Sequence, residues 1–99
     1  MNISLDWDNT FTADTKRWQK FIDLFSVDHE IYIVTSRSPD VPIEFIPDGL
    51  AGIIYCSYRA KRKVTEEQGI KIDVWIDDAP FYIENGFVIE YDSVHDREW

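Results

Sequence analysis

Nineteen Asp plus Glu against ten Lys plus Arg give this 99-residue chain a formal net charge of -9. That field repels duplex DNA and anionic membranes over most of the surface and favours small cations, metal ions above all. With 44% hydrophobic and 15% aromatic residues, the chain can build one layered core but not a second, substrate-covering domain, so residues 1–99 are expected to form a single domain. The single Cys56 cannot make an internal disulfide and reads as a core filler in a reducing compartment. No charged leader with an apolar stretch precedes the first strand, and no apolar run approaches transmembrane length. A cytoplasmic protein without a membrane partner is expected.

The elements follow in alternation. Ile3 to Leu5 is a short first strand, and Thr12 or Asp14 can cap a helix whose apolar positions Trp18, Phe21, Ile22 and Phe25 fall at helical spacing. That helix should stop near Ser26 to Asp28. Ile31-Tyr32-Ile33-Val34 is β-branched and aromatic, a buried second strand ending in Thr35-Ser36-Arg37. Pro39, Pro42 and Pro47 mark the next segment as loop, with room for one helical turn from Pro42. Ile53 to Cys56 is a third strand, and Ala60 to Gln68 a helix stopped by Gly69. Asp73 to Ile76 makes a fourth strand, Phe81 to Ile83 a turn of helix, Asn85-Gly86 a turn, and Phe87 to Tyr91 a fifth strand. Asp92 to Trp99 carries no pattern.

Buried strands without polar alternation, separated by helices, predict a mainly parallel sheet of about five strands covered on both faces, a three-layer α/β/α domain. Sites in such sheets form outside the carboxyl ends of the strands. Two acidic clusters stand at such ends: Asp6-Trp7-Asp8-Asn9-Thr10 after the first strand, and Asp77-Asp78 after the fourth. Right-handed crossovers bring Asp6, Thr35, Lys61 and Asp77 to one rim. Asp6 and Asp8 lie two apart, so an extended strand end sends both to one side, where a bridging cation relieves their repulsion. A polar turn would account for the first cluster taken alone.

Together these residues resemble the haloacid dehalogenase-like (HAD) hydrolases, whose first motif is an apolar strand ending in Asp-x-Asp-x-Thr. Asp6, Asp8 and Thr10 match it. Thr35 at the end of the second strand, Lys61 at the start of a later helix, and Asp77-Asp78 occupy the places of the remaining motifs in order. The likeness covers residues 3–78, and stretches such as Leu5 to Asp14 and Asp73 to Asp78 are similar to small members from bacteria and their phages. It implies a Rossmann-like fold and a phosphatase that uses Mg2+. In that chemistry Asp6 attacks phosphorus to form an aspartyl-phosphate, and Asp8 first protonates the leaving oxygen and then takes a proton from water. Thr10 supports the loop, with its hydroxyl free to bond local backbone. Thr35, or Ser36 in its place, donates to the phosphoryl oxygens. Asp6, Asp8 through its backbone carbonyl, and one of Asp77 and Asp78 hold the metal.

Arg59-Ala60-Lys61-Arg62-Lys63 concentrates cations at a helix start, against the macrodipole, which costs up to about 1 kcal/mol unless an anion or carboxylate sits nearby. Lys61 opens the predicted helix and is the choice for the family lysine, with Lys63 as rival and Arg59 and Arg62 as candidate substrate contacts. Arg37 is either a substrate-phosphate contact or a solvated surface arginine. The intervals 11–34 and 36–60 are too short for the cap domain that the family often inserts, so a capless member is expected. An uncovered site suits a phosphate on a large molecule, such as a protein side chain or a nucleic-acid end, or needs a neighbouring subunit to cover it. The phosphorylated substrate itself is not encoded in any pattern here; a polynucleotide 3′-phosphatase or nucleotidase is the alternative activity, favoured by the basic cluster and opposed by the net charge. An inactive metal-binding or regulatory module is a further reading. Whether the chain is a monomer or a homo-oligomer is open.

Overall fold

The computed structural model describes residues 1–87. Four strands, β1 (Asn2–Leu5), β2 (Glu30–Thr35), β3 (Gly52–Tyr55) and β4 (Val74–Ile76), form one sheet in the order β3-β2-β1-β4 with every pairing parallel. Helix α1 (Thr15–Phe25) joins β1 to β2, α2 (Lys61–Glu67) joins β3 to β4, and α3 (Phe81–Glu84) follows β4. The α/β class and the parallel sheet agree with the alternation of patterns. Among the described residues the sheet has four strands rather than about five. The strand expected over Phe87 to Tyr91 lies, apart from Phe87, outside them. No helix among the described residues is long and apolar enough to cross a membrane.

Alternation along the strands sorts the core into two layers. Ile3, Leu5, Ile31 and Ile33 pack with Ile22 of α1, backed by Trp18 and Phe21. Val34, Ile54 and Cys56 point the other way and pack with Val64 of α2, beside Tyr32 and Trp75. Residues two apart share a face, so each helix buries its own set, and the strands need apolar side chains in both directions.

Local signals fix the helix ends. The Asp14 carboxylate accepts the Arg17 backbone N–H at 3.3 Å and caps α1, after a single 3-10 turn at Phe11–Ala13. Helix α2 ends at Glu67, and Gly69 follows at φ +78°, a left-handed turn that glycine takes without a Cβ clash. The helical turn expected from Pro42 does not form. Residues 38–50 run as irregular chain that lays Ile43 and Pro47 into the core, and the Ile43 amide donates to the Tyr55 hydroxyl at 3.2 Å.

Register decides where the strands end. Leu5 lies beside Ile76, and the Asp6 amide donates to the Ile76 carbonyl at 3.0 Å. Asp6 and Asp77 therefore leave the sheet as neighbours. The chain departs from β1 to one side and returns through α2 to the other, and that switch opens a crevice at the carboxyl ends of β1 and β4.

Candidate active site

Asp-Trp-Asp divides between core and rim. Trp7 is fully buried and stacks on Phe11 with ring centroids 4.7 Å apart, while Asp6 stands at the rim, 6% exposed. Asn9 then takes a left-handed backbone, φ 66°, and turns the chain so that the Phe11 amide reaches the Asp6 carbonyl at 3.1 Å. The same turn brings Thr10 under the site. Its hydroxyl lies 3.1 Å from Asp6 Oδ2 and 3.4 Å from Asp78 Oδ1, so it serves carboxylates and not the local backbone expected for it.

Lys61, the first residue of α2, is buried, and its ammonium donates to Asp6 Oδ1 at 2.8 Å and to Asp77 Oδ2 at 2.5 Å. The other Asp77 oxygen accepts the Ala79 amide at 2.9 Å. Asp78 is exposed and stays the freer of the pair. Lys63, the rival for the family lysine, is exposed on the same helix. Of the two, Lys61 reaches the carboxylates.

Asp6, Asp77 and Asp78 each place a carboxylate oxygen within 4.8 Å of the others. Two of the three, Asp6 and Asp77, share the Lys61 ammonium, and Asp78 has none among the described residues. Burial pushes the Asp6 carboxyl up to about 6; Lys61 opposes that rise, and Asp78 and Asp77 add to it. For Lys61, burial pulls downward, but Asp6 and Asp77 outweigh it and hold the ammonium above its ordinary range. A set of hard oxygen donors with excess negative charge has the chemistry that magnesium takes.

Asp8 departs from expectation. Its side chain does not join the group formed by Asp6, Asp77 and Asp78. Instead Arg37 grips both of its oxygens, Nε at 3.0 Å from Oδ2 and Nη2 at 2.7 Å from Oδ1. Arg37 also reaches Glu44 at 3.2 Å and the Pro42 carbonyl at 2.8 Å, and Glu44 accepts the Trp7 indole N–H at 3.0 Å. Arg37 is thus not a solvated surface arginine; its side chain is 16% exposed, it orients Asp8, and it lines the cavity beside Ser36. Hydrogen bonds to Asp8 hold its guanidinium above the ordinary range, and the Trp7 and Arg37 bonds hold the Glu44 carboxyl below its own.

Thr35 is buried, and its hydroxyl accepts the Arg37 amide at 3.2 Å, closing a turn at the strand end. Ser36 lines the cavity, whereas Thr35 does not. The basic cluster is largely neutralised by carboxylates. Arg59 forms a two-pronged pair with Glu67 at 3.0 and 2.6 Å, and Arg62 meets Glu84 at 2.7 Å while lying over Trp75. Neither arginine lines the cavity, against the substrate contacts expected of them.

The cavity measures about 380 Å³ and brings together Asp6, Asp8, Ser36, Arg37, Lys61, Asp77 and Asp78. Sequence reasoning missed two groups here. Glu44 sits in a Pro-punctuated loop with no pattern to place it, and Tyr58 and Tyr82 line the cavity, the first from a segment read as a connection and the second from the expected turn of helix, to which no site role was given. A scan against protein-family models, a search of curated proteins and a search of solved structures gave no match to this chain.

Proposed function

We propose that this chain is a magnesium-dependent phosphomonoesterase of the HAD-like type, with a capless Rossmann-like core, acting through an aspartyl-phosphate on Asp6. The observation that supports it most is the buried Lys61 ammonium shared by Asp6 and Asp77, from strands at opposite ends of the sequence, with Asp78 beside them. A carboxylate held by an ammonium and a hydroxyl presents a fixed oxygen at the mouth of a cavity, which is what in-line attack on phosphorus requires. Asp6 and Asp78 would hold magnesium, with Asp77 engaged by Lys61. Bound magnesium would supply positive charge against the phosphoryl oxygens and the excess of carboxylates.

The residues then divide the work. Asp6 attacks phosphorus, the ester P–O bond breaks, and the departing oxygen takes a proton from Asp8. Water next attacks the phosphorus of the aspartyl-phosphate, gives its proton to Asp8, and releases inorganic phosphate with Asp6 restored. Arg37 keeps Glu44 and the Pro42 carbonyl as partners while Asp8 carries the proton. Ser36 is the group at hand for phosphoryl oxygens. A reducing cytoplasmic setting suits the buried Cys56 thiol, which burial pushes up to about 11.

The test is hydrolysis of a generic aryl phosphate with and without magnesium. Turnover should need the ion, and Asp6→Asn should lower it at least about a thousandfold, as expected for loss of a nucleophile. Activity that survives Asp6→Asn rules the mechanism out. One observation favours a second reading, a magnesium-binding module without turnover: both Asp8 oxygens are occupied by Arg37. Magnesium binding with no hydrolysis across a broad panel of phosphate esters would select it.

A further inference from the structure

The cavity that holds the carboxylates has aromatic lining that phosphoryl transfer does not use. Tyr82 and Phe87 stack with ring centroids 3.9 Å apart and planes 6° from parallel, and Tyr58 meets Phe87 edge-on at 5.4 Å. These rings are not sealed into the core; Tyr58 is 40% and Phe87 39% exposed. The backbone keeps them there at a cost. Ser57 and Tyr58 both adopt left-handed conformations, φ 52° and 65°, which a bulky residue takes only where its surroundings enforce it.

Two hydrogen bonds do the enforcing. The Tyr58 amide donates to the Ser36 carbonyl at 2.8 Å, and the Tyr58 carbonyl accepts the Phe87 amide at 2.7 Å. Gly86 permits the second, since a Cβ there would meet the Tyr58 carbonyl oxygen at 3.1 Å. One strained residue therefore ties the phosphate end of the cavity, at Ser36, to its aromatic end.

We propose that this aromatic lining is a stacking subsite for the leaving group, so that the substrate is a small phosphomonoester carrying a flat aromatic ring, as a mononucleotide or an arylalkyl phosphate does. The proposal rests on the phosphomonoesterase reading for what happens to the phosphate. Aromatic side chains that line a cavity and keep part of their surface exposed can take a further ring, and every planar ring offers a π-face, so little discrimination among ring types follows. A cavity of about 380 Å³ has the size of a small-molecule site and not of a track for a nucleic-acid strand.

Two matched pairs test it, each differing in the ring and not in the class of leaving oxygen: adenosine 5′-monophosphate against ribose 5-phosphate, and benzyl phosphate against ethyl phosphate. In magnesium, kcat/KM should favour the ring-bearing member by about 5- to 150-fold, the range that base stacking on aromatic side chains supplies. A preference in the first pair alone identifies a nucleotide, and one in both pairs a general ring site. Ratios near one in both pairs overturn the subsite and leave the phosphatase reading standing. Tyr82→Leu should bring the ratio close to one while Tyr82→Phe preserves it; a ratio unmoved by Tyr82→Leu also overturns the subsite. If nothing is hydrolysed, the phosphatase reading fails, and calorimetric Kd ratios for the same pairs decide the subsite by the same criterion.

Discussion

Lys61 carries more of the site than its place in a run of basic residues announces. Removing the ammonium with Lys61→Met leaves buried carboxylates facing one another, and breaking a buried pair costs about 3 to 5 kcal/mol. Urea denaturation of the magnesium-free variant should show a loss of that order, and added magnesium should recover part of it. The pH dependence of Asp6 has the opposite sense to ordinary acid denaturation. Its folded value of about 6 lies above the ordinary 3.8, so folding favours the protonated form. Its contribution is present below about pH 4 and is lost as pH rises through 6, roughly 3 kcal/mol in all. In chelator, stability measured from pH 4 to 7 should fall with pH in the native chain relative to Asp6→Asn; parallel curves would show that burial does not govern this carboxyl. Asp6, Lys61 and Asp77 were legible because each stands at an element end that patterning locates. The grip of Arg37 on Asp8 was not, since it depends on Glu44 and Pro42, whose loop carries no periodicity. Thr35 and Ser36 differ by one position on a strand, and only alternation against the finished sheet tells which side chain meets the cavity.

At the scale of elements, β1 to β4 and α1 were readable from apolar runs and helical spacing, and their observed ends lie within a residue or two of those expected. Short α2 was readable from its stop at Gly69 more than from its face, because two of its three buried residues, Lys61 and Thr65, are polar. The burden on that helix start is met by carboxylates, from the ends of β1 and β4 and from α3 for Lys61 and Arg62, and from the end of α2 itself for Arg59. Gly86 was read as a turn residue and proves to be a point of close approach. In Gly86→Ala the new methyl must displace the backbone of residues 58–60, with contacts of 3.1 to 3.4 Å. Overpacking of this kind costs about 1 to 3 kcal/mol. A fall of that size in stability, with a loosened Tyr58, is the expected result; a neutral substitution would show that α3 gives way instead.

Across the whole molecule, the net charge of -9 and the pairing of Arg59 and Arg62 with glutamates leave little to attract a polyanion. An oligonucleotide ending in a 3′-phosphate should therefore not compete with aryl phosphate hydrolysis when present at the KM of that substrate. Strong competition that weakens with salt would reopen the nucleic-acid reading. The parallel layout has one more consequence. Parallel neighbours cannot be made by a hairpin, and β4 reaches β1 only after β2, β3 and α2 have been laid down. A polypeptide that lacks β4 thus holds Asp6 without Asp77, the second carboxylate on the Lys61 ammonium. If Asp6 and Asp78 hold magnesium as proposed, binding of the ion would report that β4 has docked beside β1.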